Sequence, residues 1–374
     1  MFKKILFCLL SFLCLYSTVN AEELVKYAKS AILIEPTTNK IVYENNSREQ
    51  MAPASMTKMM TMLLIMEAYD NGQFKLDDMV PISKNSSSMG GSQLFLQENT
   101  EIKAEELIKG IAIASGNDAA VAMAEFIAGT TDEFVKMMND KCAELGMNST
   151  VFKNCSGLDA EGHYSTARDI AIMSKELLKH DKIVEYSTIW MDTLRNGATQ
   201  LVNTNKLVRF YDGATGLKTG TTNGAGCCVS ASAKRNGLHL IAVVMGASTS
   251  DDRFRSAKKL LDSGFANYEF KEMKFELKNK TVDVTKGTKT NIELEEPKNI
   301  SFLLEKGQEK NIETYFNLPQ SIKAPINKGD TVGRVTVKLN GEIVATTDIV
   351  AAEDVDEMNF VNAMLRMLQH TFMA

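Results

Sequence analysis

The run Met56-Thr57-Lys58-Met59-Met60-Thr61-Met62-Leu63-Leu64-Ile65-Met66 is apolar on nearly every side when wound as a helix. A helix without a polar face cannot lie on a surface, so it must pass through the centre of a domain with other elements packed around it. Asn71-Gly72 supplies its stop. The one charged residue of the run, Lys58, follows Ser55 by three positions within Pro53-Ala54-Ser55-Met56-Thr57-Lys58. Residues three apart share a helical face. A serine hydroxyl is a weak nucleophile until a base takes its proton. A lysine whose charge is suppressed by burial or by a positive field can be that base. The free N–H groups of a helix start supply such a field and can hold a developing oxyanion. Taken alone, Ser-x-x-Lys is equally a cap beside a surface charge.

Two later fragments add to it. Ser115-Gly116-Asn117 joins two expected helices, 105–114 and 118–128, and a sharp connection of that kind projects side chains into a cleft. The plainer alternative is an N-cap at Asn117 or Asp118. Lys218-Thr219 is flanked by Gly216 and Gly220, which suits a strand that a ligand's backbone approaches closely. The alternative there is an edge strand guarded by a lysine. Strands are expected at 31–34 and 41–43, joined by a turn at 37–40, and again at 227–233 and 238–246. Thr166 or Ser165 caps a helix expected over 167–180.

A chain of 374 residues suggests two or three folding units. Its formal net charge of −5 argues against a nucleic-acid partner, which needs basic surface. Residues 1–21 read as a cleaved export signal: Lys3 and Lys4, a short apolar core over 5–15, then Val19-Asn20-Ala21. Cys142, Cys155, Cys227 and Cys228 lack metal-ligand spacing, and His163, His180, His239 and His370 are scattered, so neither metal nor cofactor is implied. Cys142–Cys155 is the one pair an export compartment makes worth considering as a disulfide; buried thiols are the simpler reading. A catalytic unit over 22–268 gives way to a β-rich unit over 269–352. There the apolar residues alternate at Val282/Val284, Ile292/Leu294 and Val335/Val337/Leu339, with Asn340-Gly341 as a hairpin turn. Over 353–374, Met358, Val361, Leu365, Leu368 and Phe372 recur at helical spacing. That marks an amphipathic helix, packed on the β unit or lying at a membrane surface.

Ser-x-x-Lys, Ser-x-Asn and Lys-Thr-Gly together mark serine β-lactamases and penicillin-binding proteins. With Gly157-Leu158-Asp159-Ala160-Glu161-Gly162-His163-Tyr164-Ser165-Thr166-Ala167-Arg168-Asp169, Asn203-Thr204-Asn205-Lys206-Leu207 and Gly216-Leu217-Lys218-Thr219-Gly220-Thr221-Thr222, the chain resembles the low-molecular-mass penicillin-binding proteins. Within these it looks like the D-alanyl-D-alanine carboxypeptidases of the S11 serine peptidase type. The resemblance implies an α/β (α+β) transpeptidase fold of the penicillin-binding/β-lactamase kind, an antiparallel sheet between helices, followed by a small all-β domain and the terminal amphipathic helix. It implies removal of the last D-alanine from peptidoglycan stem peptides ending in D-Ala-D-Ala. It also implies covalent binding of β-lactams, a part in peptidoglycan remodelling and cell shape, and a peripheral place on the extracytoplasmic face of the membrane.

By the same resemblance Ser55 attacks the carbonyl, Lys58 takes its proton and Ser115 passes a proton to the leaving amine. Asn117 holds the substrate amide. Lys218 sets the field and bonds to Ser115, Thr219 meets the substrate carboxylate, and the N–H groups of Ser55 and Thr221 form the oxyanion hole beside Gly220. Arg255, with Arg253 second, is expected to bind the carboxylate, since a planar guanidinium pairs two oxygens. The histidine that the family often carries near Ser156 or at Thr221 is missing. Three other readings stand beside this one: a β-lactamase using Glu161 to activate water, a peptidoglycan endopeptidase, and a non-catalytic wall-binding protein.

Overall fold

In the computed structural model, which describes residues 24–359 and Met364, alternation of side chains across one sheet sets the architecture. β1 (Ser30–Glu35) and β2 (Lys40–Asn45) form the expected hairpin. Later in the chain come β3 (Ala214–Thr222), β4 (Gly226–Arg235) and β5 (Leu238–Ala247). They complete an antiparallel sheet in the order β2-β1-β5-β4-β3, with β3 at one edge. The β4–β5 turn is Asn236-Gly237, both with positive φ as a tight hairpin requires.

Neighbouring residues along a strand face opposite sides, so Ile32 and Ile34 join one apolar core while Ala31 and Leu33 join another. The first core holds α1 (Lys58–Asp70), whose residues from Lys58 to Met66 are all buried, as an all-round apolar helix demands. Around it pack α2 (Ala104–Lys109), α3 (Asn117–Ala128), α4 (Thr131–Glu144) and α5 (Ala167–Leu177). On the sheet's other face lies α6 (Ser250–Asn267), burying Phe254, Ala257, Leu260 and Leu261. Thr166 is the cap of α5, its hydroxyl accepting from the Asp169 N–H, and the helix stops three residues short of the expected His180. Cys142 and Cys155 are both free thiols, each pushed up to about 12 by burial.

The α6 helix runs straight into Tyr268–Met273, a strand paired with Ile300–Glu305. The chain then builds two three-stranded sheets, one of them closed by the Asn340-Gly341 hairpin. Their shared core contains the alternating Val282, Val284, Ile292, Leu294, Val335 and Val337. This is the C-terminal all-β domain. The helix expected from Glu353 does not start there. Ala351 and Val355 are buried in the β core, and Val355 and Glu357 make bridges to Ile326 and Gly287. Apart from Met364, the rest of that expected helix, and the export signal over 1–21, fall outside the described residues. No described helix is long and apolar enough to cross a membrane.

Candidate active site

Three segments meet at the start of α1. Ala54–Thr57 forms one turn of 3-10 helix leading into Lys58. This sets Lys58 Nζ 3.1 Å from Ser55 Oγ, as the spacing of the two residues implies. The same amine donates to Asn117 Oδ1 at 2.5 Å and to the Ser156 carbonyl at 2.6 Å. Lys58 is fully buried, and desolvation lowers its pKa to about 7. Ser55 is half-buried at the lip of the cleft.

Asn117 is no cap. Its side chain is buried between Lys58 and the Gly90 carbonyl, to which Nδ2 donates at 2.6 Å. That second bond fixes which amide atom faces Lys58. Asp118 is not a cap of the usual kind either: its carboxylate accepts from the N–H groups of Leu94, Leu96 and Ala119 and so holds the 90–96 segment along the cleft. The helix before it, expected to run through to Ala114, switches to a wider π-turn over Gly110–Ala114. Ser115 follows in the left-handed region with φ 65°. Such a conformation in a non-glycine residue is strained and persists where the surroundings over-determine it.

β3 closes the other side. Gly220 packs on the Ser55 turn so closely that a Cβ there would lie 3.0 Å from the Pro53 carbonyl oxygen and 3.1 Å from the Ser55 nitrogen. A glycine here lets this edge strand, and the Thr221 amide after it, come up to Ser55 without displacing the turn. Gly157 makes the matching approach from below: with φ +85°, its missing Cβ would fall 2.0 Å from the Ala54 oxygen. Lys218 is buried, not an edge guard, and its pKa is lowered well below the ordinary lysine range, first by desolvation, then by Lys58 and Arg253. The expected Lys218–Ser115 bond is absent. Lys218 donates instead to the carbonyl of its neighbour Thr219 at 3.1 Å, and Ser115 Oγ has no partner among the described residues. Thr219 Oγ1 donates to Thr204 Oγ1 at 2.8 Å.

The two candidate arginines sit in different surroundings. Arg253 is buried, and its Nη1 donates to the Gly220 carbonyl (3.1 Å), to Thr221 Oγ1 (2.9 Å) and to the Cys228 carbonyl (3.3 Å). Arg255 is exposed, beside Asp252 at 3.4 Å and over the Tyr27 ring. Two residues along a helix turn the side chain by about 200°, so only one of the pair can face the strand. Glu161, the water-activating candidate of the β-lactamase reading, is exposed on its loop.

Sequence reasoning missed the Ser156 carbonyl, because a backbone acceptor has no residue signature. It also missed Asn154, whose Oδ1 takes the N–H groups of Ser156 and Gly157 and shapes that turn. His163 was passed over as a scattered histidine. It is buried against Thr57, with Nε2 2.8 Å from Oγ1, and burial lowers its pKa to about 4, so it stays neutral beside the Ser55 turn.

Comparison with known proteins agrees with this geometry. Residues 17–249 match the family described as D-alanyl-D-alanine carboxypeptidase, and residues 270–357 match the one described as penicillin-binding protein 5, C-terminal domain. The D-alanyl-D-alanine carboxypeptidase DacF of Bacillus subtilis is 47% identical over 356 residues, 93% of this chain and 91% of that protein. Penicillin-binding protein 5 from Haemophilus influenzae superposes with a TM-score of 0.75 at 30% identity, over 88% of this chain and 98% of that one. Penicillin-binding protein D2 from Listeria monocytogenes, solved in an ampicillin-bound form, superposes with a TM-score of 0.59 at 31% identity, over 64% of this chain and 97% of that one. A carboxypeptidase match over the sheet and helices, joined to a matching β domain, makes this chain a member of the D-alanyl-D-alanine carboxypeptidase family of penicillin-binding proteins.

Proposed function

We propose that the chain removes the terminal D-alanine from peptidoglycan stem peptides through an acyl-enzyme on Ser55, and that penicillins acylate the same oxygen. The observation that carries this reading is the set of partners around Lys58. Asn117 Oδ1 and the Ser156 carbonyl can only accept, so an amine with two hydrogens satisfies both and turns its lone pair to Ser55 Oγ. In that state the Ser55 hydroxyl donates to Nζ and loses its proton as the oxygen attacks the penultimate carbonyl. The carbonyl electron pair moves onto oxygen, facing the N–H groups of Ser55 and Thr221 across the Gly220 contact. Collapse expels D-alanine, whose nitrogen takes a proton through Lys58 and the unpartnered Ser115 hydroxyl. Lys218 keeps the cleft positive, and Thr219 with Arg253, rather than Arg255, meets the substrate carboxylate. Water then releases the shortened peptide.

A carboxypeptidase reading is preferred to a β-lactamase because the groups bonded to Ser55 and Lys58 include no carboxylate. It is preferred to a passive wall binder because a buried lysine held neutral has no use without a proton to take. We further propose that the chain is exported by its leader, that the domains divide near Tyr268, and that the segment after Asn359 attaches the protein to the outer membrane face. The apolar stripe Val361, Leu365, Leu368 and Phe372 supports that attachment.

The deciding experiment is labelling by fluorescent penicillin. The parent is expected to form a long-lived covalent adduct, and Ser55→Ala to form none while melting at the parent's temperature; an adduct on the variant removes Ser55 from the role. The acylation rate should rise about tenfold per pH unit in acid and level off above about 7 as Lys58 loses its proton. A flat profile between pH 5 and 9 contradicts Lys58 as the base. Arg253→Ala should slow acylation at least about tenfold, with Arg255→Ala within twofold of the parent; the reverse order restores the sequence-based choice. A chain ended at Asn359 should stay in solution and keep its peptidase activity while the full mature chain sediments with liposomes. Binding should be insensitive to salt, Arg366 being the one lysine or arginine after Asn359. Equal sedimentation of both forms would assign the contact to the β domain.

A further inference from the structure

Asn203-Thr204-Asn205 has no part in the chemistry described so far, yet the fold invests heavily in it. Asn203 is buried, and its Nδ2 donates to the carbonyls of Ser187 and Ile189 at 2.9 and 2.8 Å. Its Oδ1 accepts from the Asn205 N–H, and Asn205 Oδ1 accepts from the Leu207 N–H. Asn205 is wholly buried with its Nδ2 unpartnered among the described residues, an expense that a merely decorative loop would shed. The residue between these two asparagines is only half-buried.

Thr204 reaches both walls of the cleft. Its N–H donates to the Ile113 carbonyl at 3.1 Å, within the π-turn that carries Ser115. Its hydroxyl receives the Thr219 proton at 2.8 Å. That donation leaves Thr219 Oγ1 showing lone pairs, the wrong polarity for a carboxylate. A threonine rotor is indifferent between its oxygen and its methyl until a neighbour chooses, and Thr204 is the neighbour that bonds it.

We infer that Thr204 is a positioning and specificity residue for substrates with a free carboxylate. Resting on the carboxypeptidase reading, its hydroxyl holds the Thr219 oxygen toward the cleft and reverses the bond when substrate arrives. Thr204 then donates to Thr219, and Thr219 donates to the carboxylate. The proton count is unchanged, since each hydroxyl keeps its own hydrogen and only rotates. Donation into Thr219 also polarises its O–H and strengthens the outward bond. A methyl group cannot come within 2.8 Å of Oγ1, so an isosteric valine would both remove the donor and push Thr219 out of place.

The test compares acylation of the full mature chain by benzylpenicillin and by its methyl ester, which lacks the carboxylate charge. Thr204→Val is expected to lower the benzylpenicillin rate about tenfold, the order of one weakened hydrogen bond to a charged group. The ester rate should hold within about twofold, and Thr204→Ser should restore the parent ratio. The backbone bond to Ile113 survives either change, and melting temperature reports the fold. An unchanged acid-to-ester ratio in a folded Thr204→Val overturns the inference, as does equal loss on both probes. Failure of the parent to acylate at all would instead sink the carboxypeptidase reading.

Discussion

Burial of one amine governs the rest. Lys58 can serve Ser55 only while uncharged near neutral pH, and what removes its charge is the apolar helix it begins. A carboxylate at hydrogen-bond distance would undo this, because an opposite charge favours the protonated lysine. Asp118, the carboxylate that acts on Lys58, spends its oxygens on the N–H groups of Leu94, Leu96 and Ala119. It raises the Lys58 pKa less than burial lowers it. Neutral acceptors, an amide oxygen and a peptide carbonyl, satisfy the amine instead. The second buried lysine is held down as well: desolvation first, then the charges of Lys58 and Arg253, keep Lys218 well below the ordinary lysine range.

Supporting that amine requires segments far apart in sequence to arrive at one place. Asn117 comes from the turn after Ser115, Ser156 from a loop tied by Asn154, and Gly220 from the sheet edge. Two close glycine approaches, at Gly157 and Gly220, are made on the Ser55 turn itself. The nucleophile's position therefore follows from two absent side chains as much as from any contact present. His163, kept neutral by burial, packs beneath Thr57 and braces the same turn.

Much of this was legible locally. The 3-residue spacing of Ser55 and Lys58, the all-round apolar helix and the Asn-Gly hairpins depend on neighbours in sequence, and the structure has them. The failures are tertiary. Nothing along the chain says that Lys218 will turn to its own strand instead of to Ser115. That Arg253 turns to the sheet while Arg255 stays in water was itself legible, because Arg253, Ala257, Leu260 and Gly264 share the three- and four-residue spacing of the buried face of α6. The expected helix does not begin at Glu353, although Met358 and Val361 keep helical spacing, because Ala351 and Val355 are buried in the β core.

One arrangement also accounts for opposite fates of its two kinds of acyl donor. In the proposed mechanism a peptide and a lactam both present a carbonyl to Ser55 and a carboxylate to Thr219 and Arg253, so acylation follows the same course. They differ in the leaving amine. D-alanine is a separate molecule after cleavage and diffuses off, opening the carbonyl to water. The amine released from a lactam ring remains tethered to the acyl group and keeps its carboxylate on the strand. Water must then enter past it without a dedicated carboxylate base, because the atoms bonded to Lys58 are a hydroxyl, an amide and a peptide carbonyl. A site built around a neutral lysine is thus sufficient for turning over peptide and ill-suited to clearing penicillin.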